Sequence, residues 1–216
     1  MNGETAIVYL VDDDPSILRA LARLLRAGGH QVSTFRSPRD FLAQHDAAAA
    51  GCVVLDLAMP GLSGLELQTA LAAAGCQRPI VFLSGHGDVP SSVRAMKAGA
   101  VDFLTKPVSE RDLLGAIERA IERDRTMRHA RAELQAIGER LNTLTPRERQ
   151  VLQHVVSGQL NKQIAADLGT VEKTVKVHRS RVMEKMGVRS LADLVRMAER
   201  LGIAAADQDS PDRLPH

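Results

Sequence analysis

The chain has 216 residues, 44% hydrophobic and 25% charged, which suits two small domains or one large one and excludes wholesale disorder. No uncharged apolar run approaches the ~18–20 residues of a bilayer span, and the start lacks the basic region of a signal peptide. With two cysteines, Cys52 and Cys76, outside any metal-ligand spacing, a reduced, cytoplasmic protein without a membrane partner is expected.

Charge divides the chain. Residues 1–124 carry 12 Lys/Arg against 15 Asp/Glu, whereas residues 143–201 carry 11 against 6, so only the second half suits a polyanionic partner. In the first half, apolar β-branched runs predict strands over 6–11, 31–35, 52–55, 80–83 and 101–105. Helical segments alternate with them. Asp14-Pro15 opens the first, ended by Gly28-Gly29; Ser37-Pro38 opens the second and Gly64 the third. Asp88 precedes the fourth, which closes at Gly99, and Ser109 with Asp112 forms a capping box for the fifth. Near-continuous apolar strands alternating with helices predict a doubly wound α/β domain, a five-stranded parallel sheet covered on both faces.

From about Leu113 the helical pattern runs on through Ile117, Ile121, Leu134, Ile137 and Leu141, with no proline before Pro146. A long helical linker is predicted. Thr145-Pro146-Arg147-Glu148 is an N-cap, a first-turn proline and a capping-box glutamate in order. Helices are then expected to Gly158, over 162–168 with Asn161 as cap, over 171–186, and over 190–201. Four short helices with a Gly-marked turn between the second and third fit a small all-α helix-turn-helix unit. The domains expected are 1–123, a linker over 124–142, 143–203, and a flexible tail over 204–216.

In doubly wound folds chemistry gathers where the strands end. Asp12, Asp13 and Asp14 follow the first strand, Asp56 the third, Ser84 the fourth, and Lys106-Pro107 the fifth. Asp14 alone reads as a helix cap. Together, converging carboxylates repel each other unless a cation lies among them, and an all-oxygen cluster favours Mg²⁺ completed by water and phosphate.

These residues carry a resemblance. VDDD at 11–14, LDLAMPGLSG at 55–64, LSGHGD at 83–88 and AMKAGAVDFLTKP at 95–107 make residues 1–124 similar to the CheY-like receiver domain of two-component response regulators. The resemblance implies that Asp56 accepts a phosphoryl group from a phosphohistidine on a partner sensor histidine kinase. It implies Mg²⁺, with Mn²⁺ as a substitute, ligated by Asp13, Asp56 and the backbone carbonyl of Ala58, with Asp12 acting through water. Lys106 would pair with the phosphoryl group, Ser84 would be the switching hydroxyl, and Phe103 the switching aromatic. A dimer surface is expected along Val93, Met96, Lys97 and Phe103.

Residues 144–200 resemble the LuxR-type helix-turn-helix domain of the NarL/FixJ family, through LTPRERQVLQHVVSGQLNKQIAADLG and TVKVHRSRVMEKMGVRS. The whole chain looks most like the FixJ branch. In the helix over 171–186, Val171, Val175, Val182, Met183 and Met186 form an apolar stripe, with Lys173, Lys176, Arg179, Ser180 and Arg181 expected on the outer face. Such a helix suits the major groove. By position, Lys176, Val177 and Ser180 would face bases, while Lys162, Lys173, Thr174 and Arg181 would favour phosphates. Val171 stands where the family commonly has serine, so Thr170 is the alternative cap and the helix entry shifts by a residue.

The function implied is a phosphorylation-activated transcription factor, not an enzyme, homodimeric when phosphorylated, binding promoter DNA and working with RNA polymerase. The rival from another class is a Mg²⁺-dependent phosphohydrolase with Asp56 as covalent nucleophile. It usually needs a second acid two residues on, where this chain has Ala58, and it leaves the basic half without a role. A weaker rival binds DNA independently of phosphorylation.

Overall fold

The computed structural model describes residues 6–85 and 89–203. Asp88 as a helix start and the tail over 204–216 lie outside the described residues. The chain forms two compact units, one ending at Arg128 and the other beginning at His129.

In the first unit, β1 (Ile7–Val11), β2 (Gln31–Phe35), β3 (Gly51–Asp56), β4 (Ile80–Ser84) and β5 (Asp102–Thr105) form one parallel sheet in the order β2-β1-β3-β4-β5. The central strands are apolar on both faces because both faces are covered. Alternate residues separate the two layers. Val8, Leu10, Cys52, Val54, Val81 and Leu83 pack against α1 (Pro15–Ala27) and the first turns of α5 (Glu110–Asn142). Tyr9, Val11, Val53, Leu55, Ile80 and Phe82 face the other way. They pack on α2 (Pro38–Gln44), α3 (Gly64–Ala73) and α4 (Val89–Lys97) through Phe41, Leu67, Leu71 and Ala95.

Helix starts follow the sequence signals. Asp14 caps α1 by accepting from Ser16 and Ile17, Ser37 caps α2, and Ser63 with Glu66 forms a capping box on α3. Helix α5 runs unbroken for 33 residues, with Asp112 N–H donating to Ser109 at its start. Its Leu113, Ala116, Ile117 and Ala120 are buried in the first unit, and its Ile137 belongs to the core of the second. Asp124 is also buried, and within this helix the stretch exposed on every side is 129–136.

The second unit contains α6 (Pro146–Val156), α7 (Asn161–Asp167), α8 (Glu172–Met186) and α9 (Leu191–Arg200) around Val151, Leu152, Ile164, Val175, Val182 and Leu194. Thr145 and Glu148 form the expected capping box on α6. Two helix starts differ from expectation. Asn161 is the first residue of α7 rather than its cap, because its side-chain oxygen is taken by Arg179 and Gln163 satisfies the N–H of Leu160 instead. Helix α8 begins at Glu172 with Val171 as N-cap, 65% exposed and lacking a capping oxygen. Thr170 does not cap: α8 has no side-chain cap bond, and the Thr170 N–H closes the preceding turn on the Ala165 carbonyl. Val171 therefore leaves the apolar stripe.

Candidate functional site

Strand register assembles the first site. Val11 pairs with Leu55, so the next residues, Asp12 and Asp56, leave the sheet side by side. Asp56 pairs with Leu83, and the Lys106 N–H donates to the Ser84 carbonyl at 2.7 Å, bringing the ends of β4 and β5 level with them. Lysine is long enough to reach across β4. Its Nζ lies 2.5 Å from Oδ1 of Asp56 and 2.6 Å from Oδ2 of Asp12. The other oxygens accept backbone N–H groups, Asp12 from Asp14 and Asp56 from Ala58, each at 2.9 Å. The loop between returns tightly: a Cβ on Gly64 would come within 2.5 Å of the Asp56 carbonyl.

Burial pushes the Asp56 carboxyl above the usual carboxylate range, opposed by the Lys106 hydrogen bond and charge and reinforced by the charge on Asp12. Burial alone would lower Lys106, but its hydrogen bonds to Asp12 and Asp56 and their charges outweigh that and hold it protonated. Two buried carboxylates against one ammonium leave a residual negative charge, and the donors are hard oxygens, which fits Mg²⁺. Receiver domains typically bind Mg²⁺ at such an acidic pocket. Asp13, expected as a direct ligand, is exposed, and Asp12 and Asp56 point to Lys106; among the described residues no three acidic, His or Cys side chains are grouped to hold a metal ion.

Ser84 is buried at the end of β4. Phe103 is half-buried on β5, its ring 6.2 Å from that of Phe82. On α4, Val93 and Met96 are 44% and 45% exposed, Val89 is 70% exposed, and Lys97 is exposed beside them.

The second site is a helix face. Val175, Val182 and Met186 of α8 are buried, and Lys173, Lys176, Val177, Ser180 and Arg181 are exposed together. Lys162 is exposed on α7, Thr174 is half-buried, and Lys176 pairs with Glu172 one turn back. Arg179 is the exception to the expected outer face. It is half-buried and donates Nη1 to Oδ1 of Asn161 at 3.1 Å. Its spacing was the available signal: Val175, Arg179, Val182 and Met186 follow the i, i+4, i+7, i+11 row.

A receiver-type acidic pocket and a separate helix-turn-helix unit define a response regulator with a DNA-binding output. The response regulator receiver domain model matches residues 8–118, and that of bacterial regulatory proteins, luxR family, matches 142–198. Nodulation protein W of Bradyrhizobium diazoefficiens is 50% identical over 200 residues, covering 93% of this chain and 88% of that protein. Transcriptional regulatory protein FixJ of Azorhizobium caulinodans is 41% identical over 208 residues, covering 96% and 99%. The response regulator StyR superposes with a TM-score of 0.83 at 47% identity, covering 91% of this chain and 99% of StyR. The chain belongs to the NarL/FixJ family of response regulators, phosphorylation-dependent regulators of transcription rather than enzymes. No helix among the described residues is long and apolar enough to cross a membrane.

Proposed function

We propose that Asp56 is the phospho-acceptor. A carboxylate oxygen of Asp56 attacks the phosphorus of a phosphohistidine on a sensor kinase; the P–O bond forms, the P–N bond breaks, and the imidazole leaves. The observation that carries this reading is Lys106 Nζ held between Asp56 and Asp12 at the open edge of the sheet. It puts a fixed positive charge where phosphoryl oxygens would arrive. Asp13, Asp56 and the Ala58 carbonyl would hold Mg²⁺, or Mn²⁺ in its place, with Asp12 acting through water; the ion supplies further charge neutralisation when bound. Ser84 and Phe103 form the switch, and the α4–β5 face bearing Val93, Met96, Lys97 and Phe103 pairs two receivers.

The output follows from the helix face. Lys176, Val177 and Ser180 read bases, while Lys162, Lys173, Thr174 and Arg181 hold phosphates. The functional modules are a receiver over 1–123, a linker over 124–142 and a DNA-binding domain over 143–203, acting in the cytoplasm with RNA polymerase. Incubation with acetyl phosphate and Mg²⁺ should label the chain at Asp56, and Asp56→Asn should abolish the label. Label persisting in that variant would move the acceptor elsewhere.

A further inference from the structure

We propose that Arg179 is a positioning residue for DNA recognition. By donating to Asn161 it fixes how α8 presents Lys176, Val177 and Ser180, and it makes no DNA contact of its own. This rests on the reading of α8 as the base-reading helix.

Three observations converge on Arg179. It occupies the inward row of α8 with Val175, Val182 and Met186, all buried, so its guanidinium starts from the core side of the helix. A cation there is costly unless a hydrogen-bond acceptor meets it, and Asn161 Oδ1 does so at 3.1 Å. Among the described residues this is also the one side-chain hydrogen bond joining α7 to α8. The rest of that junction is apolar packing such as Ile164 and Val175, which holds the helices together but is non-directional.

Among the described residues, the other polar bonds from α8 to its neighbours lie at its far end, Lys185 to Glu148 at 2.7 Å and Arg140 to the Met186 carbonyl at 3.2 Å, so none fastens the half that carries Lys176 and Ser180 to α7. Leu160 and Val171, the N-caps of α7 and α8, are apolar and 69% and 65% exposed. A half-buried, directional bond at the first residue of α7 therefore sets the α7–α8 junction, where apolar packing alone would tolerate more than one pose. Arg179 adjoins Ser180 and lies three residues beyond Lys176, so a shift at the bond displaces both readers directly. Base contacts lose value with displacements of about 1 Å or less, whereas phosphate contacts from the flexible, exposed Lys173 and Arg181 follow the groove. Loss of the bond therefore erodes discrimination more than general affinity.

The test uses the full chain, a duplex that it selects from a random-sequence pool, and a scrambled duplex of the same composition. Arg179→Met keeps an unbranched apolar side chain in the inward row, and Asn161→Ala removes the acceptor. Each should lower the selected-to-scrambled affinity ratio about fivefold or more, and the double variant should be no worse than either alone. Asn161→Asp, which keeps the acceptor, should retain the ratio. The salt slope on the scrambled duplex should not change in any of them. A slope lowered by about 1 in Arg179→Met would make Arg179 a phosphate contact and overturn the proposal. So would an unchanged ratio in both single variants. If the wild-type chain enriches no sequence, the reading of α8 itself fails, and that outcome is separate from the others.

Discussion

The N–H of Gly51 donates to Oδ2 of Asp124 at 2.8 Å, across 73 positions of the chain. Gly51 opens β3 with φ near +140°, and a Cβ there would lie 1.9 Å from the Ile7 carbonyl, so glycine is required. Asp124 also accepts from Arg128 Nε at 3.0 Å, and Arg128 reaches the Ala48 and Ala49 carbonyls. The clasp therefore fastens α5 to the sheet edge opposite the acidic pocket. Asp124→Ala would leave the buried N–H of Gly51 without its acceptor and should cost about 2–3 kcal/mol. Hydrogen exchange should report faster opening at Gly51 and along 120–128, while Asp56 labelling continues. Unchanged protection at Gly51 would show that the clasp is dispensable.

The acidic pocket should trade stability for reactivity. The folded Asp56 carboxyl titrates above its ordinary 3.8, burial being the main cause, so its ionised form costs stability. Below pH 3.8 it is protonated in both folded and unfolded chains and contributes nothing. The penalty grows as pH rises through the raised folded value and persists above it. Asp56→Asn should therefore stabilise the unphosphorylated protein at pH 7, and by less near pH 4. Melting temperatures at the two pH values check this; a variant less stable at pH 7 would contradict it.

Much of this architecture is legible in the sequence because parallel strands covered on both faces become apolar runs. Asp12, Asp56, Ser84 and Lys106 stand out because each ends or follows such a run. Asp124 does not stand out. On a helix rich in surface charge it resembles its solvated neighbours, and its partner Gly51 is distant in sequence. Val171 shows another limit of local signals: Thr170 is the better capping residue, but its backbone belongs to the turn that closes on Ala165, and the helix starts one residue later with Val171 as N-cap. Arg179 was legible in spacing and hidden by type, because arginine suggests an outer face.

The second unit carries its own buried carboxylate. Glu148 is 2% exposed, and its carboxyl is lowered to about 2, first by the Lys185 hydrogen bond at 2.7 Å and then by the N–H of Thr145. A depressed carboxyl contributes stability that is present above its ordinary 4.5 and is lost as pH falls toward 2. Glu148→Gln should destabilise the unit by about 2 kcal/mol at neutral pH, since Lys185 is partly solvated, and should flatten its response between pH 4.5 and 3. Amide exchange over 143–203 reads this unit separately, the chain having no tryptophan and Tyr9 lying in the first unit. An equally steep acid response in the variant would assign it to another group.

Phosphorylation should raise DNA affinity chiefly by pairing receivers, because two weak DNA contacts held together gain effective concentration without new base contacts. The pairing face is expected on α4, where Val89, Val93 and Met96 are 70%, 44% and 45% exposed and make an apolar surface beside Lys97. Val93→Glu places a charge in that surface without touching Asp12, Asp56 or Lys106. It should weaken the phosphorylated dimer at least about tenfold, or ~1.4 kcal/mol, and leave the rate of Asp56 labelling unchanged. Lys97→Glu should also move the dimer constant. Sedimentation equilibrium of the labelled protein measures both. A dimer constant indifferent to both substitutions would move the interface to another face, and a phosphorylated monomer that footprints a full two-fold site would overturn pairing as the source of affinity.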